Sequence, residues 1–249
     1  MSTLVSKLLK PFIARHEPIN TLTVDIHSHL IPGIDDGVKT TFEAVKLIGR
    51  FQAMGYKKMI VTPHIMWHRY KNSSEIILER LEFLKDALID HDIQMELEAA
   101  SEYYLDDHFL KLLEKRDILT FGENYLLFEM SYTRAPANLT EIVIEIQRAG
   151  YRPVLAHPER YLFMHERFEE YETLKEYDVL FQLNINSLAG YYNKGVQKIA
   201  QKLVDEGMVD FLGSDTHKAR QVSMLEEYIR TPAFQKIFKN NTILNDTLL

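Results

Sequence analysis

Apolar residues along the chain occur in short continuous runs, separated by longer segments in which apolar positions recur every three to four residues. The short runs are rich in β-branched and aromatic residues and predict strands at 21–28, 57–63, 93–101, 125–130, 152–157, 179–185 and 208–214. The longer segments predict helices at 41–54, 74–90, 105–115, 139–149, 166–177 and 196–206, with two more at 223–230 and 232–239. Gly55, Gly150 and Gly207 each follow a predicted helix, where a left-handed residue commonly ends it.

This regular alternation of strand and helix predicts an α/β fold with a parallel sheet. The strands are apolar almost throughout, which is typical of strands covered on both faces. Seven such strands can close into a barrel, and an open doubly wound sheet is the alternative. The length of 249 residues suits one α/β domain, which we place at residues 21–249.

Composition narrows the possible functions. The formal net charge of −7 argues against a broad nucleic-acid surface, because binding a phosphate backbone requires an excess of Lys and Arg. A small anionic substrate remains possible if bound metal ions supply positive charge. The chain has no cysteine, so disulfides and thiolate nucleophiles are excluded.

Ionisable residues recur where predicted strands end, which is the edge at which parallel α/β folds build their active sites. Two pairs, His27 with His29 and Asp215 with His217, are spaced by two residues, so that both members of a pair face the same way on an extended chain. The full set of candidate metal ligands is His27, His29, Asp36, His64, Glu102, Glu129, His157, Asp215 and His217.

Imidazole nitrogens mixed with carboxylate oxygens suit Mn²⁺, Fe²⁺ or Zn²⁺. Nine candidate ligands are too many for one ion and fit two or three. The alternative is that these side chains have only structural roles, but it would crowd many buried titratable groups together without a compensating charge.

Arginine is the candidate phosphate-binding residue type, because its guanidinium can hold two phosphate oxygens. Arg160 lies three residues after His157, with a surface salt bridge to Glu159 or Glu166 as the alternative role. Arg220, three residues after His217, is a second catalytic candidate. His68 is a candidate substrate contact.

Six motifs occur in an order that resembles the polymerase and histidinol phosphatase (PHP) superfamily, and within it the bacterial metal-dependent protein-tyrosine phosphatases of capsule and exopolysaccharide systems. The resemblance covers residues 24–220. The motifs are DIHSHLIPGIDDG (25–37), TPH (62–64), SEYY (101–104), LLFEM (126–130), AHPERY (156–161) and GSDTH (213–217).

The resemblance implies a distorted (β/α)7 TIM-like barrel, with three metal ions, usually manganese, at the carboxyl ends of the strands. It assigns Arg160 to phosphate binding. Family members often have a second arginine further after the last motif than Arg220, so Arg220 departs from the family pattern. The implied ligand sets are His27, His29, Glu102 and Asp215 for one ion; Glu102, Glu129 and His157 for the next; and Asp36, His64 and His217 for the third.

The activity expected from this resemblance is hydrolysis of phosphotyrosine on a bacterial tyrosine kinase by a metal-activated water. Tyr103, Tyr104 and Tyr161 lie beside proposed ligands in the sequence and could contact the substrate or pack in the core. One alternative is a small-molecule phosphatase, such as a histidinol-phosphate phosphatase. Another is a non-catalytic PHP-like binding module.

Residues 1–20 precede the region of resemblance and are expected to form an N-terminal arm or helix. Leu4, Leu8, Leu9 and Phe12 could share one face of it, packed on the barrel or touching a membrane surface. The sequence has no 18-residue apolar run and no signal-peptide pattern, so we expect a cytoplasmic protein.

Overall fold

Successive side chains along the strands point alternately into two apolar clusters. A computed structural model describes residues 22–249, so the predicted arm at 1–20 lies outside the described residues. Within β-strands, Leu126 and Phe128 face one cluster of buried side chains, whereas Leu127 faces a second, smaller cluster. The smaller cluster receives Val24, Val154 and other side chains from strands of both sheets, and the larger one lies between strands and helices.

All strand pairs are parallel, as predicted from the strand–helix alternation. The strands are β1 (Val24–Ile26), β2 (Lys58–Val61), β3 (His64–Ile65), β4 (Glu96–Ala99), β5 (Glu102–Tyr104), β6 (Tyr125–Glu129), β7 (Arg152–Ala156), β8 (Leu180–Asn184) and β9 (Phe211–Gly213). They form a three-stranded sheet in the order β1-β2-β4 and a six-stranded sheet in the order β3-β5-β6-β7-β8-β9.

Two predicted strands are each followed, after a break of two residues, by a short strand of the other sheet that was not predicted. The strand predicted at 57–63 gives β2, and the unpredicted β3 begins at His64, separated from β2 by Thr62 and Pro63. Proline has no amide hydrogen for a strand ladder, which favours a break at that point. The strand predicted at 93–101 gives β4, and the unpredicted β5 begins at Glu102, just beyond the predicted end. The pairing therefore forms two parallel sheets rather than one continuous ladder in the part of the chain that the structure describes.

The predicted helices are present, with ends that differ by a few residues. They are α1 (Thr41–Met54), α2 (Ser74–Asp90), α3 (Asp107–Lys115), α4 (Leu139–Arg148), α5 (Glu169–Glu176), α6 (Ile185–Leu188), α7 (Lys194–Asp205), α8 (Ala219–Tyr228) and α9 (Pro232–Asn240). Only the four-residue α6 was not predicted. Gly55 ends α1 in the left-handed conformation predicted from the sequence, with φ of 100°.

The edges of the two sheets meet at β1 and β9. Asp215 donates its amide hydrogen to the carbonyl of His27 over 2.8 Å, and His29 donates to Thr216 over 2.9 Å. The buried Asp25 carboxylate accepts hydrogen bonds of 2.8 Å from both the amide and the hydroxyl of Ser214. These contacts fix the carboxyl ends of the first and last strands beside each other. Within residues 22–249, no helix is both long enough and apolar enough to cross a bilayer.

Candidate metal centre

Strand ends bring all nine predicted ligands into one cluster. His27 and His29 follow β1, while His64 and Glu102 begin the short strands β3 and β5. The other members lie at or just after the ends of β6, β7 and β9, except for Asp36, which is on the loop after β1. The described strands are all parallel, and His64 and Glu102 also come three residues after the ends of β2 and β4, so these positions share one edge of the sheets.

Glu102 lies at the centre of the cluster. Its Oε2 atom is 3.3 Å from His27 Nε2, and 3.1 Å from His64 Nδ1. The same oxygen is 3.4 Å from His29 Nε2. Its Oε1 atom lies 2.8 Å from His157 Nε2. One buried carboxylate thus contacts four imidazoles, which is the arrangement expected of a group shared between ions.

The remaining carboxylates extend the cluster on either side of Glu102. Asp36 Oδ1 lies 3.4 Å from both His64 Nε2 and His217 Nε2. Glu129 Oε1 is 3.2 Å from His64 Nδ1. Asp215 Oδ1 is 3.5 Å from the Nε2 atoms of both His27 and His29, and 3.4 Å from His217 Nδ1. Every carboxylate therefore faces at least one imidazole nitrogen.

The described residues provide four groups whose ligand atoms lie within 4.8 Å of one another. These groups share members, so they mark adjacent positions for cations rather than separate sites. The groups are His29, Asp36, His64 and His217; His27, His29 and Asp215; His27, Glu102 and His157; and His64, Glu102 and Glu129.

The charges of these crowded side chains shift one another's pKa values. Burial alone would raise the pKa of Glu102, but the charges of His27 and His64 outweigh burial and hold that pKa well below its ordinary value. Burial would lower the pKa of His64, yet the nearby carboxylates, Glu102 foremost, raise it to about 10. His157 differs, because burial and the positive charge of Arg160 both lower its pKa.

Several ligand atoms lack a hydrogen-bond partner, which fits a divalent ion. Among the described residues, Glu102 Oε2, Asp36 Oδ1 and His64 Nδ1 are buried without one. Leaving such atoms unsatisfied is costly. Cations placed among these nitrogens and oxygens would satisfy Glu102 and Asp36 together, so the donor set fits the metals implied by the sequence.

Three of the nine residues have backbone conformations that non-glycine residues rarely adopt. The φ angles are 125° at His27, 37° at His157 and 47° at Asp215. Such conformations cost about 1–3 kcal/mol each and are found mainly at functional sites. The strain thus falls on residues of the cluster that lie one or two positions after the ends of three different strands.

Neighbouring polar side chains orient two of the histidines. Asp35 Oδ2 lies 2.7 Å from His29 Nδ1, and Gln182 Oε1 lies 2.6 Å from His27 Nδ1. Each contact leaves the Nε2 atom of that histidine directed at the cluster. This is a common way to fix the tautomer of a metal-binding histidine. The next residue, Asp36, was proposed as a ligand from the sequence, but the supporting roles of Asp35 and Gln182 were not predicted.

The loop that carries Asp35 and Asp36 requires a glycine. A side chain at Gly37 would collide with the carbonyl oxygen of His29. Gly37 also donates its amide hydrogen to Asp35 Oδ1 over 2.9 Å, which fixes the carboxylate that contacts His29. The Asp-Asp-Gly motif is thus explained by close backbone packing as well as by its carboxylates.

Arg160 packs against two tyrosine rings beside the cluster. Its guanidinium carbon is 4.5 Å from the centre of the Tyr132 ring and 4.6 Å from that of Tyr192. Its Nη1 donates to Asp215 Oδ2 over 2.9 Å, and Asn184 donates to the same oxygen over 2.7 Å. The predicted salt bridges to Glu159 or Glu166 are not the contacts observed for this arginine. Neither tyrosine was singled out from the sequence.

The other predicted contacts are less directly connected to the cluster. Arg220 is exposed in the first turn of α8, with its guanidinium carbon 5.6 Å from the centre of the Tyr191 ring. His68 is exposed on the loop after β3. Tyr103 is buried, and its hydroxyl accepts a hydrogen bond from the Leu119 amide.

Tyr161 is also buried, and its hydroxyl donates to the carbonyl of Ala156. Tyr103 and Tyr161 are therefore core residues, and their placement contradicts the interpretation of these two as substrate contacts. Tyr104 is partly exposed. The aromatic side chains that do border the cluster are Tyr132, Tyr192 and Tyr70, the last of which stacks on His64 with ring centres 5.4 Å apart.

Comparison with known proteins gives a consistent picture. The tyrosine-protein phosphatase YwqE of Bacillus subtilis is 28% identical over 198 residues, which cover 79% of this chain and 78% of that protein. The tyrosine-protein phosphatase CpsB of Streptococcus pneumoniae is 27% identical over 202 residues, covering 78% of this chain and 82% of that protein.

A structural match leads to the same proteins. A crystal structure from work on YwqE and CpsB, described as metal-dependent tyrosine phosphatases, superposes with a TM-score of 0.75 and 26% identity. The match covers 88% of this chain and 96% of that one. A family model for capsular polysaccharide synthesis, CpsB/CapC, matches residues 23–240. This chain therefore belongs to the CpsB/CapC family of capsular polysaccharide synthesis.

Proposed function

We propose that this chain is a metal-dependent phosphatase that hydrolyses phosphotyrosine on proteins. The observation that carries the proposal is the cluster of nine ligands with the Arg160 guanidinium held against its edge by Asp215. The relatives named tyrosine-protein phosphatases support the choice of substrate class. Because the chain contains no cysteine, a thiolate nucleophile plays no part in this reaction.

We propose three divalent ions, with Mn²⁺ as the native metal. The mixture of imidazole and carboxylate ligands without sulfur supports this choice. The proposed ligands are His27, His29, Glu102 and Asp215 for the first ion; Glu102, Glu129 and His157 for the second; and Asp36, His64 and His217 for the third. The shared group that joins His29 to Asp36, His64 and His217 supports an extra contact from His29 to the third ion.

Arg160 is proposed to hold the phosphoryl group. Its guanidinium packs against Tyr132 and Tyr192, and only one of its nitrogens is occupied by Asp215. The remaining N–H groups can contact two phosphate oxygens at once. Burial disfavours the charged form, but the nearby Tyr192 hydroxyl and Asp215 carboxylate outweigh it and hold the pKa of Arg160 above its ordinary value. A positive charge that is already fixed needs little reorganisation as the phosphoryl group transfers.

When bound, divalent ions neutralise phosphoryl oxygens and lower the pKa of a water toward neutrality. The tyrosyl leaving group has an ordinary pKa of about 10, so it departs with less help from a proton donor than an alkyl alkoxide needs. The chain's contribution is therefore mainly positioning and charge. His27, held by Gln182, and His29, held by Asp35, keep their Nε2 atoms facing the reaction site.

We also propose that the two sheets form the distorted barrel implied by the resemblance. The pairing of Ser28 with Thr216 joins the ends of β1 and β9. The amide of Glu102 donates to the Pro63 carbonyl over 3.2 Å where the chain passes from one sheet to the other. Side chains from β1, β2, β6, β7 and β9 share the smaller apolar cluster, as expected of strands that enclose a common interior.

The proposed protein substrate is a phosphorylated tyrosine kinase of a capsule or exopolysaccharide system. The family's description in capsular polysaccharide synthesis supports this partner. Arg220 and His68 are kept as secondary candidates for substrate contact, because both are exposed and follow cluster residues, Arg220 in the first turn of α8 and His68 on the loop after β3.

The test is turnover of a phosphotyrosyl peptide and of histidinol phosphate, with and without added Mn²⁺, by the wild type and by His157→Ala. We expect Mn²⁺-dependent release of phosphate from the peptide that is lost in the variant. Preference for histidinol phosphate would retain the metal centre and reject the protein substrate. Absence of turnover on both by folded, metal-loaded protein would reject phosphatase activity and favour a binding module.

A further inference from the structure

A groove with a volume of about 590 Å³ opens beside the metal centre, between the loops that follow β5 and β6. Met130, in its wall, is the residue after Glu129, and Tyr104 is two residues after Glu102. The groove therefore begins next to two proposed ligands and leads away from them. Its volume is within the range typical of ligand-binding clefts.

The loop after β6 is held in place by the same tyrosine that packs on Arg160. Tyr132 accepts a 2.9 Å hydrogen bond at its carbonyl from Leu162, and its ring lies 5.7 Å from that of His157. Ser131 and Thr133, on either side of Tyr132, line the groove together with Arg134. The groove is thus connected to the phosphate-binding arginine through a single fixed side chain.

Arg134 carries a charge that no carboxylate compensates. It is exposed, and no acidic oxygen lies within 4.0 Å of it among residues 22–249. Some other surface arginines do have such partners: Arg148 pairs with Glu145 over 2.7 Å and Arg50 with Glu226 over 2.8 Å. An unpaired guanidinium in a groove is complementary to an acidic ligand.

We infer that, given the proposed function, this groove binds the polypeptide adjoining the phosphotyrosine and that Arg134 pairs with an acidic side chain of it. The walls combine the hydroxyls of Ser131 and Thr133 with apolar Met130 and Pro136, which suits the mixed surface of a peptide. Arg134 is five residues from Glu129, so it lies at most about 18 Å along the chain from that ligand. The acidic residue therefore lies within about five residues of the phosphotyrosine.

The size of the effect follows from the exposure of Arg134. Solvent-exposed ion pairs are weak, so a peptide with an acidic residue at this position should exceed a neutral peptide in kcat/KM by at most about fivefold. Salt screens such pairs, so the preference should decrease as ionic strength rises toward 1 M. Neither feature is expected if the peptide contacts only apolar walls.

The experiment compares two phosphotyrosyl peptides that differ only in carrying Glu or Gln at the positions flanking the phosphotyrosine. The readout is the ratio of their kcat/KM values with the Mn²⁺-loaded protein. Because both substrates are measured on one preparation, the ratio is insensitive to partial unfolding. It is determined for the wild type, Arg134→Glu, Arg69→Glu and Arg80→Glu. Arg69 is exposed on the loop after β3, which lies on the other side of β5 from the groove. Arg80 is an exposed arginine on α2 and serves as the matched control.

We expect the wild type and Arg80→Glu to prefer the Glu peptide about three- to fivefold, and Arg134→Glu to prefer the Gln peptide. A ratio near one in the wild type, or an unchanged preference in Arg134→Glu, would overturn the inference. If Arg69→Glu rather than Arg134→Glu removed the preference, the acidic residue would bind near the loop after β3 and not in the groove. That result would also overturn the inference. Turnover of neither peptide by the wild type would reject the proposed function itself.

Discussion

Arg160 illustrates how much the surroundings of one residue define its role. Lysine could supply the same charge, but it lacks the planar group that packs against Tyr132 and Tyr192. The bond to Asp215 further restricts the guanidinium to one orientation at the edge of the cluster. Shape as well as charge should therefore matter for catalysis.

Arg160→Ala should lower kcat for a phosphotyrosyl peptide by about 100-fold, because a positioned transition-state donor is lost. The kcat of Arg160→Lys should lie between those of Arg160→Ala and the wild type, since lysine retains the charge but lacks the planar guanidinium. The measurement is steady-state kinetics at saturating Mn²⁺. Arg148→Ala, an exposed arginine on α4, is the control and should match the wild type. A kcat of Arg160→Ala within twofold of wild type would contradict the role.

At the residue scale, the sequence predicts the residues that recur at strand ends. It misses those that hold these residues in place by hydrogen bonding or packing. All nine proposed ligands converge, because parallel strands must end at one edge. Gln182 and Asn184 were missed, although two amide side chains in an otherwise apolar strand are a signal that could have been used. Tyr132 and Tyr192 could not be found in this way, because their contacts with Arg160 depend on how separate loops meet.

Among the elements, the short C-terminal turn at Asn245–Leu248 joins the first and last strands. The buried Asn245 side chain accepts a hydrogen bond from the Leu212 amide over 2.9 Å. It also donates to the carbonyls of Val24 and Leu212, over 2.9 and 2.7 Å. One side chain thus satisfies backbone groups of both β1 and β9 at the seam between the two sheets.

Asn245→Ala should reduce the free energy of unfolding by about 3 kcal/mol, because it leaves buried backbone groups of Leu212 and Val24 without partners. Urea unfolding followed by circular dichroism would measure the loss. Thr247→Ala, which removes an exposed hydroxyl from the same turn, should change stability by less than about 0.5 kcal/mol. Equal stability of the two variants would argue against Asn245 as a link between the strands.

The elements themselves were largely predictable from periodicity. The seven predicted strands and eight predicted helices are present, because each carries a long apolar pattern of the appropriate period. The short strands β3 and β5 were not predicted, since they depend on how the chain passes from one sheet to the other. Helix α6 was missed because four residues are too few to show a helical period.

For the molecule as a whole, the metal centre concentrates charge in the interior. Asp215 is buried, and the charges of His27 and His217 hold its pKa well below the ordinary value despite burial. Much of the folded protein's internal charge is thus found where divalent ions are proposed to bind. Ions that bind only the folded state must stabilise it.

Saturating Mn²⁺ should therefore raise the melting temperature relative to protein treated with a chelator, by about 5–10 °C at 100 times the dissociation constant. Differential scanning calorimetry would measure the shift. In Glu102→Gln, which weakens the central ligand, the shift should be smaller at the same Mn²⁺ concentration. A melting temperature that is unaffected by Mn²⁺ in wild-type protein would contradict the proposed centre.

The overall architecture was predicted to the level of a parallel α/β fold. Sequence patterning determines which residues form strands, but it does not reveal which edges pair. The contacts between Asp25 and Ser214 connect residues 189 positions apart, and such long-range packing leaves no periodic signal in the sequence.

The positive φ angles at His27, His157 and Asp215 have an evolutionary consequence. Three strained residues at about 1–3 kcal/mol each amount to a substantial part of the 5–15 kcal/mol that typically separates folded from unfolded protein. A descendant that no longer needed the reaction would become more stable by placing glycine at these positions. Glycine in place of these three residues should therefore mark lineages of this fold that have abandoned catalysis, even where the rest of the scaffold is retained.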